Sequence, residues 1–443
     1  MAQAGAQALT THYRNLQKSW QVSHSEAYRR LVVPNGNSSQ PFHRWFHLKE
    51  AYSSQLLPQL ISDSGHAAQQ SLRVRDPYSG SGTTLLSALE LGSEQDLSVD
   101  VHGTERNPFI WELAHSKVAG RIAGREAAKD FEVSLDAVEE LYRSSKRPFE
   151  PVPEQATLRN ERYFARDNVE KLCSIRRAID MCAEGLSRSL LRISLAAAVE
   201  GCGRLRRDGR ALRFTPGRQP KDAWVAFSER AAIVLQDLEV TEPLNASGNV
   251  RLGDGRLRSE TKGDFDWIVF SPPYPNNIDY TEVYKTEAWV LGCYETAEEM
   301  RTQRQLTVRS HPSIRFERDY SYLATEKSDA VSRIIEPVIS AVPEGKYHSG
   351  RVEVIRGYAD DMFLTLQSCR REIAPNGHLA FIVGNSAHAS GDSAFIIAAD
   401  VVMGALAELA GWRVTEVRVA RELIRRNADS EFLRESVVIL EPA

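Results

Sequence analysis

Cysteine is sparse in this chain: Cys173, Cys182, Cys202, Cys293 and Cys369 are scattered, with no Cys-x-x-Cys pair. That pattern argues against a disulfide framework and offers no zinc-type spacing, so free thiols and no metal site are expected. Long apolar runs are also missing. The most apolar tract, Ser393–Trp412, is interrupted by Asp400 and Glu408 and reads as an amphipathic helix, which excludes a membrane span. The opening "MAQAGAQALTTHYRNLQKSW" has no apolar h-region, so no secretory signal is expected and the chain is assigned to the cytoplasm. An excess of positive charge is lacking too. With 55 Lys+Arg against 59 Asp+Glu the net charge is −4, which excludes a nonspecific polycation and leaves room for a local basic face. No internal repeat or long low-complexity segment is present.

What remains is an ordinary globular composition, 42% hydrophobic and 26% charged, over 443 residues. Residues 1–70 are polar and read as a helical segment. It has a turn at Val33–Pro41 and aromatic and apolar residues at helical spacing over Pro41–Ile61. "SLRVRDPYSGSGTT" follows as a strand and a Gly/Ser-rich turn, then "LLSALELG" as a helix closed by Gly92, and Leu97–Pro108 as a second strand ending at Glu105. This βαβ opening predicts an α/β fold with a mostly parallel sheet. Residues 111–245 are dominated by helical patterns, broken by a Pro-rich joint at Arg147–Gln155, and the α/β rhythm resumes at Asn249. Asp76 and Ser271 stand 195 residues apart, whereas two crossovers need roughly a hundred residues. A helical insertion over 115–245, within one sheet domain formed by 71–114 and 246–443, accounts for the excess. A second, irregular excursion covers 295–355.

In "DPYSGSGTT" (Asp76–Thr84) the glycines Gly80 and Gly82 follow a strand directly and allow a sharp turn and close approach to a ligand. The Gly-Lys-Ser/Thr of a phosphate loop is absent, and so is the third glycine of a dinucleotide fingerprint, so a diphosphate is disfavoured. Glu105 at the next strand tip is placed to accept from a ribose diol. A nucleoside without a polyphosphate fits this layout, although most such loops in isolation are turns and nothing more. Downstream, the apolar run Trp267–Phe270 ends in Ser271-Pro272-Pro273-Tyr274, where two prolines force the chain out of the sheet in one rigid conformation.

Taken together, "DPYSGSGTT", "GTERNP", "LGDG" and "SPPY" resemble the S-adenosylmethionine-dependent DNA amino-methyltransferases, with "FHRWFHLKEAYSS" (Phe42–Ser53) similar to the motif these enzymes place before the Gly-rich loop. The resemblance covers the whole sheet domain. It implies a Rossmann-like methyltransferase fold with a mostly parallel seven-stranded sheet flanked by helices, and S-adenosylmethionine as cofactor. It further implies that Asp76, Gly80 and Gly82, with Tyr78 and Thr83 of the same loop, hold the methionine part. Glu105 and neighbouring Asn107 would serve the ribose and Asp254 the adenine amine, with Lys49 and Ser53 near the methionine end. Tyr78 stands where the family often has phenylalanine.

Those enzymes methylate the exocyclic amine of cytosine or adenine, a poor nucleophile whose lone pair is delocalised into the ring. Two acceptors can draw it toward tetrahedral geometry: the Ser271 hydroxyl and the backbone carbonyl of Pro272, its direction frozen by the flanking prolines. Tyr274 supplies a face for base stacking, and the base must leave the duplex to reach it. In the family "SPPY" accompanies mostly cytosine N4 and "DPPY" or "NPPY" mostly adenine N6. Cytosine N4 is therefore the expectation, with adenine N6 or a base in structured RNA as alternative, and a non-catalytic cofactor- and DNA-binding module of a defence complex as a further one. No Pro-Cys dipeptide is present to supply the nucleophile of C5 methylation. Asn276, Asn277, Asp279 and Tyr280 read either as pocket lining or, for Asn277 and Asp279, as helix caps.

Double-stranded DNA as partner requires local basic surface. Gly203–Lys221 carries Arg204, Arg206, Arg207, Arg210 and Arg213, and Arg301–Arg318 carries five arginines including Arg304 and Arg309; these suit phosphate contact. Arg418–Arg426 is a weaker third segment. Charge runs are usually solvated faces. The insertion is expected to carry target recognition, the protein to be a monomer or homodimer, and a companion restriction endonuclease to be a possible partner.

Overall fold

The computed structural model describes residues 2–65, 70–144, 150–208, 212–258, 263–276, 278–390, 393–424 and 430–443. Its strands, in chain order, are β1 Gln21–His24, β2 Ser71–Asp76, β3 Ser98–Glu105, β4 Leu205–Arg207, β5 Leu212–Phe214, β6 Ala246–Leu252, β7 Phe265–Phe270, β8 Ile373–Gly384, β9 Ser386–Ser390, β10 Ser393–Ile397, β11 Trp412–Glu422 and β12 Arg434–Pro442. The central sheet has eight strands in the order β1-β11-β12-β8-β7-β2-β3-β6. Within it β12 runs against both neighbours, and every other pairing is parallel. The fold is the expected Rossmann-like α/β arrangement with one strand more than seven. The extra strand, β1, comes from the amino-terminal segment and pairs along β11 from Gln21↔Glu416 to His24↔Val419.

Parallel pairing puts the carboxyl ends of β2, β3, β6 and β7 along one edge, which is where open α/β sheets bind ligands. Both faces of the sheet are covered. On one side Phe265, Ile268 and Phe270 pack with the helices His348–Arg370 and Ala399–Leu409, and on the other Val74, Val101 and Val269 pack with Thr83–Gln95.

Three local expectations change. Gly92 lies inside the helix Thr83–Gln95, which ends instead on Asp96 in the left-handed region at φ 54°. A Cβ on Gly92 would stand 2.1 Å from Val99 Cγ2, so this glycine lets the helix approach β3. Pro41–Ile61 is not one helix: a single turn at His43–Trp45 and a helix at Leu56–Ser64 are separated by loop. The apolar spacing there reflects burial of Phe42, Trp45 and Phe46 against the insertion. Ser393–Trp412 begins as strand β10 before its helix at Ala399–Leu409.

Between β3 and β6 the chain forms the helices Pro108–Ala123, Ala128–Arg143, Arg166–Cys182, Gly185–Val199 and Ala223–Glu239, plus the hairpin β4–β5. The Pro-rich joint is described only from residue 150; the remainder lies outside the described residues. Buried Asp237 on the last of these helices accepts from the Phe42 N–H (3.1 Å), Arg44 Nε (3.1 Å) and Trp45 Nε1 (2.8 Å). Phe42 itself sits at φ 60°, a strained conformation that this carboxylate holds in place.

Candidate active site

The carboxyl ends of β2, β3, β6 and β7 open into a cavity of about 320 Å³, also walled by residues 48–52, 306–308, Ser310 and His311. Asp76, Glu105, Asp254 and Ser271–Tyr274 all line it, so the Gly-rich turn and the Ser-Pro-Pro-Tyr turn face one shared space.

At the β2–β3 side, Asp76 Oδ1 accepts from the Tyr78 N–H at 2.9 Å and Oδ2 from the Thr84 hydroxyl at 2.5 Å. The Tyr52 hydroxyl pairs with Thr84 in turn. Glu105 accepts the Gly80 N–H (3.1 Å) on one oxygen and the Arg106 and Asn107 N–H groups (2.8 Å each) on the other. Gly80 and Gly82 take φ 51° and 82°, left-handed values that a side chain disfavours. Burial pushes the carboxyls of Asp76 and Glu105 up to about 7, opposed by these hydrogen bonds. The two acids thus line the cavity with their charge held back by desolvation, an acceptor set suited to a ligand carrying a cation and a diol.

Thr83 and Asn107 also line the space, and Asn107 caps its helix by accepting from Phe109 N and Ile110 N. Tyr78 lines it with its hydroxyl 2.6 Å from Thr365 Oγ1. Gly82 stands behind the lining, with space for a Cβ closed by Ala114 at 3.5 Å. Lys49 reaches the cavity and donates to the Arg207 carbonyl. Ser53 does not belong to the lining. Its hydroxyl donates to the Asn35 carbonyl at 3.0 Å, tying two loops together, and Tyr52 beside it points to the Asp76 cluster instead. Asp254 is held in a forked pair by Arg256 Nε (2.8 Å) and Nη2 (2.6 Å). Burial opposes its charge, but those bonds win and keep the carboxyl below its ordinary range.

At the β7 side, Ser271 Oγ lies 3.1 Å from the Ile382 carbonyl and 3.2 Å from the Tyr274 hydroxyl. The Tyr274 hydroxyl donates to Glu435 Oε1 at 3.0 Å, and Arg421 Nε donates to the other Glu435 oxygen at 2.5 Å. Glu435 and Arg421 come from β12 and β11, and both line the cavity. Gly384 admits the Tyr274 ring, since a Cβ there would meet Cε2 at 3.0 Å. Asp279 caps the short helix Tyr280–Val283, and Asn276 and Tyr280 line the space; Asn277 lies outside the described residues. Glu50, Tyr52, Tyr284 and Glu435 were not singled out by sequence, and Arg421 entered only as part of the basic segment Arg418–Arg426. Tyr52 and Glu50 stand beside residues that were, but nothing in "FLRESVVIL" marks Glu435.

The basic segments divide sharply. Arg204, Arg206 and Arg213 are exposed on the β4–β5 hairpin, with Arg206 and Arg213 opposite one another and Arg213 paired to Asp208. Arg207 is buried, held by Glu287 and by Glu200 at 3.0 Å, with its guanidinium 4.8 Å from the Tyr284 ring centre. Arg309 is buried on Asp360 and Asp361, and Arg304 is paired with Asp279 at 2.7 Å. Both were expected to reach DNA; acids some 25 to 50 positions away in sequence hold them instead. Arg418 likewise pairs with Asp63 and Glu416, while Arg210, Arg425 and Arg426 lie outside the described residues. No helix of the described residues is long and apolar enough to cross a membrane.

No family model matches the chain. It is 24% identical over 431 residues to Type II methyltransferase M.AvaI of Nostoc sp., covering 89% of this chain and 84% of that protein. Type II methyltransferase M.BsoBI of Geobacillus stearothermophilus is 22% identical over 480 residues, covering 95% and 89% respectively. The chain is a relative of the Type II methyltransferases. Among solved structures, a TehB-like SAM-dependent methyltransferase from Corynebacterium glutamicum is 10% identical, covering 88% of this chain and 98% of that one, with a TM-score of 0.26, too loose a superposition to carry an argument. The likeness to Type II methyltransferases spans the sheet and the insertion alike.

Proposed function

We propose that this Type II methyltransferase relative transfers a methyl group from S-adenosylmethionine to the exocyclic N4 amine of a cytosine flipped out of double-stranded DNA. The observation that carries the reading is the cavity shared by Asp76 and Glu105 with Ser271, Pro272 and Tyr274. Asp76 and Glu105 suit the ammonium and the ribose diol of the cofactor, and Asp254 with Arg256 walls the same end. When bound, the cofactor supplies an electrophilic sulfonium methyl. The Ser271 hydroxyl, with its proton directed at a neighbouring acceptor, turns lone pairs toward the amine. The Pro272 carbonyl takes the second N–H. Holding both hydrogens fixes the nitrogen in line for attack, a gain in orientation that needs no ordering on binding. Removing the base from its stack costs a few kcal/mol, offset by the tyrosine-lined pocket. The hairpin arginines Arg204, Arg206 and Arg213 suit phosphate contact, so the insertion serves target recognition in this reading.

The test is incubation with tritiated S-adenosylmethionine and duplex DNA, followed by digestion and nucleoside mass analysis. N4-methylcytosine formed by the native chain and lost in Ser271→Ala supports the reading. N6-methyladenine redirects it to the other amine, and labelled RNA in place of DNA redirects the substrate. Tight DNA binding without label points to a non-catalytic module.

A further inference from the structure

Methyl transfer to an amine leaves the nitrogen with one proton too many, and that proton needs an acceptor. Among the groups lining the space, one connected line of hydroxyls leads from the amine-binding end to a carboxylate: Ser271 Oγ, the Tyr274 hydroxyl at 3.2 Å, then Glu435 Oε1 at 3.0 Å. Glu435 is 4% exposed, and its second oxygen is held by Arg421, which lies partly in solvent. Gly384 leaves room for the tyrosine ring in the orientation that joins these groups, because a Cβ there would press on Cε2.

We propose that Glu435 is the terminus of a proton relay through Tyr274 and Ser271, a reading that rests on the amine methylation argued above. In the transfer step the amine lone pair forms the N–C bond as the C–S pair withdraws onto sulfur. The N–H bond then breaks toward Ser271 Oγ while the Ser271 proton passes to the Tyr274 oxygen and the Tyr274 proton to Glu435. Serine and tyrosine end as they began, and the carboxylate ends protonated, beside a guanidinium that reaches water. Glu435 acts on the amine through Tyr274, as a positioning residue.

A role limited to holding the tyrosine ring makes different demands. Glu435→Gln keeps the size and one acceptor but cannot take a proton, and Tyr274→Phe keeps the ring but cuts the line. The expected result is a loss on the order of 10²-fold in single-turnover methyl transfer for each variant. The double variant should lose no more than either alone, since both break one path. Affinities for S-adenosylmethionine and for duplex DNA should stay within twofold, with melting temperatures confirming the fold. The native rate should also slow in heavy water, and that sensitivity should vanish in Glu435→Gln. A Glu435→Gln rate equal to the native one, an unchanged solvent isotope effect, or losses that multiply in the double variant would overturn the relay. If the native chain methylates no amine at all, the underlying function fails instead, and the two failures are told apart by that control.

Discussion

Arg309 donates through Nη2 to Asp361 Oδ1 at 2.9 Å, with both side chains buried beneath the cavity wall. The same guanidinium also holds Asp360, and Arg256 bridges Asp361 to Asp254. Removing one partner leaves buried carboxylates uncompensated, which typically costs about 3–5 kcal/mol. Arg309→Ala should therefore lower the urea midpoint sharply, while any fraction that folds binds duplex DNA with native affinity. A weakened DNA affinity at undiminished stability would return Arg309 to the interface.

Arg206 and Arg213 present the opposite case. They are exposed across the hairpin from one another, and exposed charges contribute little to stability. Arg206→Ala with Arg213→Ala should leave the melting temperature unchanged and weaken DNA binding evenly across sequences. The slope of log K against log salt should fall in magnitude by about 2. An unaltered slope removes the hairpin from the DNA path.

The buried acids set a pH dependence. Asp76 rises from 3.8 and Glu105 from 4.5 to about 7, both through burial first. The unliganded native state then binds more protons than the unfolded chain across about pH 4 to 7. Stability contributed by the protonated acids is present at the low end of that window and declines as pH rises through it. Glu105→Gln should flatten the decline, read as the difference between native and variant melting temperatures from pH 5 to 8. Cofactor affinity should run the other way, since a charged acid is the one that holds a diol or a cation. It should weaken as pH falls below about 7, with protons released on binding in calorimetry. A pH-independent affinity would remove both acids from the cofactor site.

Gly92→Ala places a methyl against Val99, where 2.1 Å separates the ideal Cβ from Cγ2. Overpacking of this kind costs about 1–3 kcal/mol. Adding Val99→Ala should recover most of the loss, a compensation visible in denaturant melts. Additive losses would mean that the helix shifts elsewhere.

The strand ends that build the cavity could be read directly, because each is a short strand pattern that stops at a marked residue. Asp76 precedes a Gly/Ser turn, Glu105 stands at a strand tip, and Ser271 is followed by two prolines. Partners across long sequence distances left no such mark. Arg309 looked free because Asp360 and Asp361 enter from a later helix, and Glu435 reads as the polar start of an ordinary strand. Gly92 looked like a stop since local sequence does not reveal Val99 opposite it. The aromatic spacing in Pro41–Ile61 signalled burial correctly, but the loop around Phe42 and Trp45 achieves that burial without a helix.

Asp237 joins the helical insertion to the strained turn at Phe42, and the chain from that turn runs straight on to Leu48–Tyr52, one wall of the cavity. Wall and insertion are thereby fastened by this carboxylate, together with Lys49 on the Arg207 carbonyl and the buried rings of Phe42, Trp45 and Phe46. A trimmed version of the chain lacking residues 115–245 would lose this clasp, and the chamber above the sheet would fall open rather than survive as a smaller enzyme.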